Sequence, residues 1–216
     1  MHDIRKGEKY LIGVRGQGRR VGLLQSGEVS QKILCHKHEG ATQLFDDAAI
    51  RLMRSFDRKR SPAYEGLAWK MPNPKPRELT LFAHAVIWRH LASWQADGTG
   101  PSYPTDLIPV LQGIVFGGDE PLPVLIMHGG RTHDGEAALF ALAPTETSLD
   151  GVPFIRFEAG GFVFLLLTER GMLAPSLCEF QTIHNPLTVV QLDHGDLRSD
   201  PNIMRYVLGA KAPPGF

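Results

Sequence analysis

Cys35 and His38 stand two residues apart in the run Ile33-Leu34-Cys35-His36-Lys37-His38-Glu39, and they are the pair in this chain best spaced for chemistry. A thiolate and an imidazole at that spacing, opening a helix, present one half of a tetrahedral zinc site. The other half is expected upstream across a hairpin. No cysteine precedes Cys35, however, and the one histidine before it is His2. Zinc is therefore either completed from elsewhere in the chain or has been lost. In the second case Cys35 is a small buried residue and Glu39 a first-turn carboxylate that suits the helix dipole. A second polar cluster, Asp193, His194 and Asp196, follows His184 and Asn185. Carboxylate and imidazole at this spacing suit a divalent cation or acid–base work. Arg131-Thr132-His133-Asp134 is a third grouping of the same kind, and polar loops carry such residues without any chemical role. No Gly-x-Ser-x-Gly elbow and no Gly-x-x-x-x-Gly-Lys phosphate loop occurs, so nucleophilic and nucleotide chemistry find no support.

The elements that must position these residues are legible from periodicity. Residues 9–33 alternate around glycines and predict a β-hairpin whose turn is the Arg15–Arg20 segment. Gly16, Gly18 and Gly22 lack the spacing of a dinucleotide fingerprint. Residues 40–56 predict a helix with Leu44, Phe45, Ala48, Ala49, Leu52, Met53 and Phe56 as one apolar stripe. Arg51, Arg54 and Arg58 lie along its other side, continued by Lys59 and Arg60. Such a ridge is a solvated face or a binding surface. Four prolines make 61–77 linker-like. Helices are predicted over 78–95 and 105–116, with Pro109 tolerable in a first turn. His84 and His90, six apart, do not share a face well enough to chelate and read as packing histidines. Trp88 reads as core or as a partner anchor together with Arg89. Strands are predicted at Val124–His128, Ala138–Leu142, Phe154–Phe157, Phe162–Leu167 and near 188–192, with a short helix at 201–208. Helices followed by antiparallel strands indicate an α+β fold: N-terminal hairpin and helix, central helices, C-terminal mainly antiparallel sheet. The divisions expected are 1–60, a basic hairpin–helix module; 61–77, a linker; and 78–216, an α+β domain packed with the first as one unit.

Composition narrows the class. At 216 residues and 43% hydrophobic the chain can bury a sizeable core. No apolar run is long enough to cross a bilayer, which argues against a membrane partner, and residues 1–9 lack the apolar core of a secretion signal. Two cysteines are too few for a disulfide framework and suit a reducing cytoplasm. Net charge is zero but polarised: residues 1–77 hold 16 Lys/Arg against 8 Asp/Glu, and residues 78–216 hold 7 against 15. That imbalance suits a nucleic-acid face, an acidic protein partner, a homo-oligomer joined through its complementary halves, or simple pairing within one fold.

Taken in order, Ile33-Leu34-Cys35-x-x-His38-Glu39, Phe45-Asp46-Asp47-Ala48, Leu81-Phe82, Val86-Ile87-Trp88-Arg89 and Gly160-Gly161-Phe162-Val163-Phe164 resemble the HNH-like, treble-clef proteins of bacteria and phages. The resemblance spans roughly residues 25–167. Three departures mark a truncated or degenerate member. The family's leading Cys-x-x-Cys is missing, its Ser-His element is missing, and His38 stands in place of the second knuckle cysteine. The resemblance implies that the hairpin and first helix are a treble-clef remnant and that Cys35 and His38 are what is left of a zinc site. With the catalytic half gone, the expectation is a non-catalytic binding or regulatory protein with no resident cofactor, acting on a protein or nucleic-acid partner. A phage–host conflict factor that inhibits a defence system is the setting the resemblance implies. The surfaces expected to dock are Arg15, Arg19 and Arg20 and the ridge Arg51, Arg54, Arg58, Lys59 and Arg60. The alternative expectation is a metal-dependent HNH-like nuclease with an altered site, using Cys35, His36, His38 or the Asp193–Asp196 cluster.

Overall fold

A computed structural model describes residues 11–15, 20–24, 36–59, 68–97, 106–128, 142–149, 152–169, 173 and 175–191. The elements, in order, are β1 (Leu11–Arg15), β2 (Arg20–Leu24), α1 (His36–Lys59), β3 (Ala68–Met71), α2 (Pro76–Asp97) and α3 (Leu107–Gln112). A π-helical turn, Gly113–Gly117, extends α3. After it come β4 (Val124–His128), β5 (Leu142–Leu149), β6 (Val152–Ala159), β7 (Phe162–Leu167), a 3-10 helix (Pro175–Phe180) and β8 (Leu187–Gln191). The fold is α+β. β1 and β2 form an antiparallel hairpin, and the other strands form one sheet in the order β3-β8-β4-β7-β6-β5. Every pairing in that sheet is antiparallel except β4 with β8.

β7 organises the sheet. Its sequence, Phe-Val-Phe-Leu-Leu-Leu, offers no polar face, and all six side chains are buried. A strand of this kind needs cover on both sides. Phe162, Phe164 and Leu166 join Val124, Ile126, Ile155, Phe157, Leu187 and Val189 beneath the helices. Val163, Leu165 and Leu167 join Leu125, Met127 and Phe154 on the other face, where Leu177 and Phe180 of the 3-10 helix pack. The β6–β7 connection is Gly160-Gly161, with φ of 58° and 80°. Two successive positive φ values belong to the tight primed turn that matches strand twist, and glycine adopts them without strain. The turn also passes close under α1, since a methyl group on Gly160 would lie 2.6 Å from the Met53 sulfur.

α1 buries Phe45, Ala48, Ala49, Leu52 and Phe56. Leu44, expected in the same stripe, is instead 54% exposed. It sits about 100° round the helix from Phe45 and falls off the edge of the apolar face. α2 starts on Pro76, a residue suited to the first helical position, where its missing N–H costs nothing. α2 buries Leu79, Leu81, Phe82, Ala83, Ala85, Ile87, Trp88 and Leu91. The sheet covers one side of it and α1 and α3 others. Pro109 does fall in the first turn of α3.

Two readings of the sequence change. Residues 68–71, inside the stretch read as linker, form β3 and pair with β8. Four residues next to Pro72 are too short for alternation to register. β5 is made of Leu142–Leu149, a largely polar run. As the sheet's last strand, it needs little apolar character on its outer side. Residues 138–141, most of the strand expected there, lie outside the described residues, as does the helix expected at 201–208.

Phe56, 1% exposed, ties α1 to the sheet. Its ring lies 4.4 Å from His128, 5.1 Å from Phe162 and 5.3 Å from Trp69. Phe56→Ala is expected to cost roughly 3–5 kcal/mol, the range for emptying a buried aromatic site. The denaturant midpoint should fall accordingly, and an unchanged midpoint would show that α1 is not held through this contact.

Candidate functional site

The outer face of α1 is built by helix geometry. With Phe45, Ala49, Leu52 and Phe56 turned into the core, the residues on the far side are Asp47, Arg51 and Arg54, each three or four positions from the next. Arg51 and Arg54 are exposed, less than one turn apart. Arg58 and Lys59 belong to the last turn of the same helix. Acidic residues concentrate earlier, with Glu39 in the first turn. Asp47 accepts a hydrogen bond from the Gln43 amide at 3.0 Å. The helix thus passes from acidic to basic along its length, as its own dipole favours. Arg60 lies outside the described residues. Arg15 and Arg20 face each other in register across the β1–β2 hairpin, and Arg19 falls outside the described residues.

The metal-ligand candidates are dispersed. His38 is exposed in the first turn of α1, with its ring 4.7 Å from Phe116 of the π-helical turn. Cys35, Asp193, His194 and Asp196 lie outside the described residues. Among the described residues no three His, Cys, Asp or Glu side chains come close enough to hold a metal ion. The described donors therefore do not assemble a zinc site around His38. Cys178 is exposed in the 3-10 helix. His184, which precedes the second cluster in sequence, donates from Nε2 to the Cys178 carbonyl at 2.8 Å.

Other charged and polar residues prove to be structural. Arg89 forks onto Asp46, with Nη2–Oδ1 and Nη1–Oδ2 distances of 2.9 and 3.3 Å. Its Nε also donates to the Ala85 carbonyl at 3.2 Å. This clamp joins α1 to α2, and Trp88 beside it is buried against Phe116. Arg156 and Glu158, two apart on one face of β6, form a largely buried ion pair.

A buried polar staple holds the start of α2, and the sequence offered no sign of it. The Asn73 amide donates to the carbonyls of Thr182 and His184 at 2.7 and 3.1 Å. The Thr80 hydroxyl donates to the Pro76 carbonyl, and the Thr182 hydroxyl donates to Thr80, both at 2.8 Å. The His84 ring accepts the Leu122 amide hydrogen at Nε2, 3.0 Å away. Nδ1 must then carry the ring proton, which it donates to the Thr80 carbonyl at 2.8 Å. A cleft of about 280 Å³ opens beside the staple, lined among others by Thr80, Glu120, Pro121, Gln181 and Ile183.

No family model matches this chain, and no curated protein or solved structure matches it either. The functional reading rests on the residues themselves. No helix among the described residues is long and apolar enough to cross a membrane.

Burial pushes the His84 pKa down from 6.5 to about 4, against the opposing pull of its bond to the Thr80 carbonyl. Burial lowers His90 to about 4 as well. Because the folded chain keeps both rings neutral, their stabilising contribution is fully present above pH 6.5. It is lost progressively as pH falls from 6.5 to about 4, by about 3 kcal/mol for His84. Urea titrations across that window should show a falling midpoint. In His84→Gln the fall should be shallower, with the His90 share remaining; an identical pH dependence would remove His84 from the account.

Proposed function

We propose that this chain is a non-catalytic binding protein that docks a negatively charged macromolecular partner, protein or nucleic acid, on the basic outer face of α1. The observation that carries this reading is the exposure of Arg51 and Arg54 on one face of a helix whose opposite face is locked into the core. Guanidinium groups on a rigid element recognise carboxylate or phosphate in fixed geometry. The hairpin that precedes α1 and the residues shared with HNH-like proteins support a decayed treble-clef scaffold as its origin. The loss of that family's Cys-x-x-Cys and Ser-His elements supports a role without catalysis. A place in phage–host conflict, as an inhibitor of a defence system, follows from that resemblance.

The test compares the wild-type chain with Arg51→Glu/Arg54→Glu, both immobilised, for salt-eluted capture of partner from native extract. Both positions are exposed, so the variant should remain folded, with a single cooperative unfolding transition measured alongside capture. Capture should fall by about tenfold or more, a change of about 1.4 kcal/mol or greater in binding. Undiminished capture would move the docking surface away from α1. Divalent-metal-dependent DNA cleavage that disappears in His38→Ala would replace the reading with the nuclease.

A further inference from the structure

We infer that the partner of the basic α1 face is the acidic end of a second copy of this chain, so that copies associate head to tail. This deepens the docking role proposed above and rests on it. Among the described residues the strand register gathers carboxylates at one end of the sheet, where they outnumber Lys75 and Arg77 at the start of α2, and Lys75 is itself paired with Glu78. Val124, the start of β4, lies beside Leu166 near the end of β7, and Leu125 bridges to Gln181. Asp119 and Glu120 lead into β4 at that end, Glu169 follows β7 there, and Glu179 sits two residues before Gln181. All four carboxylates are exposed.

His128, the last residue of β4, lies beside Phe162, the first of β7, at the opposite end. There the Gly160-Gly161 turn runs under Met53, and Phe56 stacks on His128. The stretch of α1 carrying Arg51 and Arg54 is fixed over that end by these two contacts. Strands of five to six residues separate the ends by roughly 15–20 Å. At about 0.1 M salt the screening length is about 10 Å, so the two ends do little to neutralise each other within one chain. They complement another chain instead, and a net charge of zero raises no overall repulsion against the approach. The contact joins two different patches, so it generates rings or open chains rather than a two-fold dimer.

Sedimentation velocity on the full chain tests this directly. The average mass should exceed that of a monomer at low ionic strength and rise with concentration. It should fall to the monomer as salt goes from about 0.01 to about 1 M and the screening length shrinks from about 30 to about 3 Å. Arg51→Glu/Arg54→Glu cancels the cationic end while leaving the acidic end intact, and Asp119→Lys/Glu120→Lys cancels the acidic end while leaving the cationic end intact. Each variant alone should associate about tenfold or more weakly than wild type, and an equimolar mixture should regain association. A wild-type chain that is monomeric at every salt concentration overturns the inference. So does salt-insensitive association, or failure of the mixture to recover while both variants remain folded by circular dichroism. A monomeric wild type that still captures an extract partner through Arg51 and Arg54 would sink the self-association and leave the docking role standing.

Discussion

Everything in this fold answers to a strand that cannot face water. β7 carries six consecutive apolar side chains in the middle of the sheet, and each face must be sealed for the strand to remain. Helices seal one side, and a short 3-10 helix contributes to sealing the other. Placing β7 centrally also fixes its neighbours. β4 and β6 pair to its two edges, and their own alternation is read out against the same two layers. The position of α1 follows, because its apolar stripe has a defined surface to meet. The direction of its charged face is therefore a product of core packing rather than of the charges.

The same constraint explains the polar interior. Bringing α2 down onto the sheet removes residues 79–85 from water together with Leu122 and Thr182. Backbone groups stranded there must find partners inside the protein, because a buried donor or acceptor left unmade is expensive. Asn73, Thr80, His84 and Thr182 provide them, and a histidine does so in its neutral form with both nitrogens used. A ring committed in this way is a fixture of the scaffold. It has no lone pair or proton to offer a substrate.

Periodic elements were legible from residue order, and contacts between distant segments were not. The stripe of α1, the double-sided burial of β7 and the Gly160-Gly161 turn all have local signatures: spacing of three and four, an unbroken apolar run, and paired glycines between strands. Arg51 and Arg54 were legible as an outer face for the same reason. The staple was invisible because Asn73 and Thr80 meet Thr182 more than a hundred positions away, and nothing in either neighbourhood advertises the other. Arg89 was open to reading as a partner anchor because its carboxylate, Asp46, lies 43 positions away on another helix. β3 escaped because its four residues owe their conformation to β8, not to their own sequence.

Burial of α2 on nearly every side has a consequence for how the molecule opens. A helix wedged between a sheet and two other helices has no edge from which to peel away, and its backbone hydrogen bonds reach solvent only after its surroundings have separated. Amide hydrogens along Leu79–Leu91 should therefore exchange with deuterium at the rate of whole-molecule unfolding. The stretch behaves as the kinetic keystone of the chain. The outer face of α1, one layer away, can exchange, bind and drift in sequence on its own timescale.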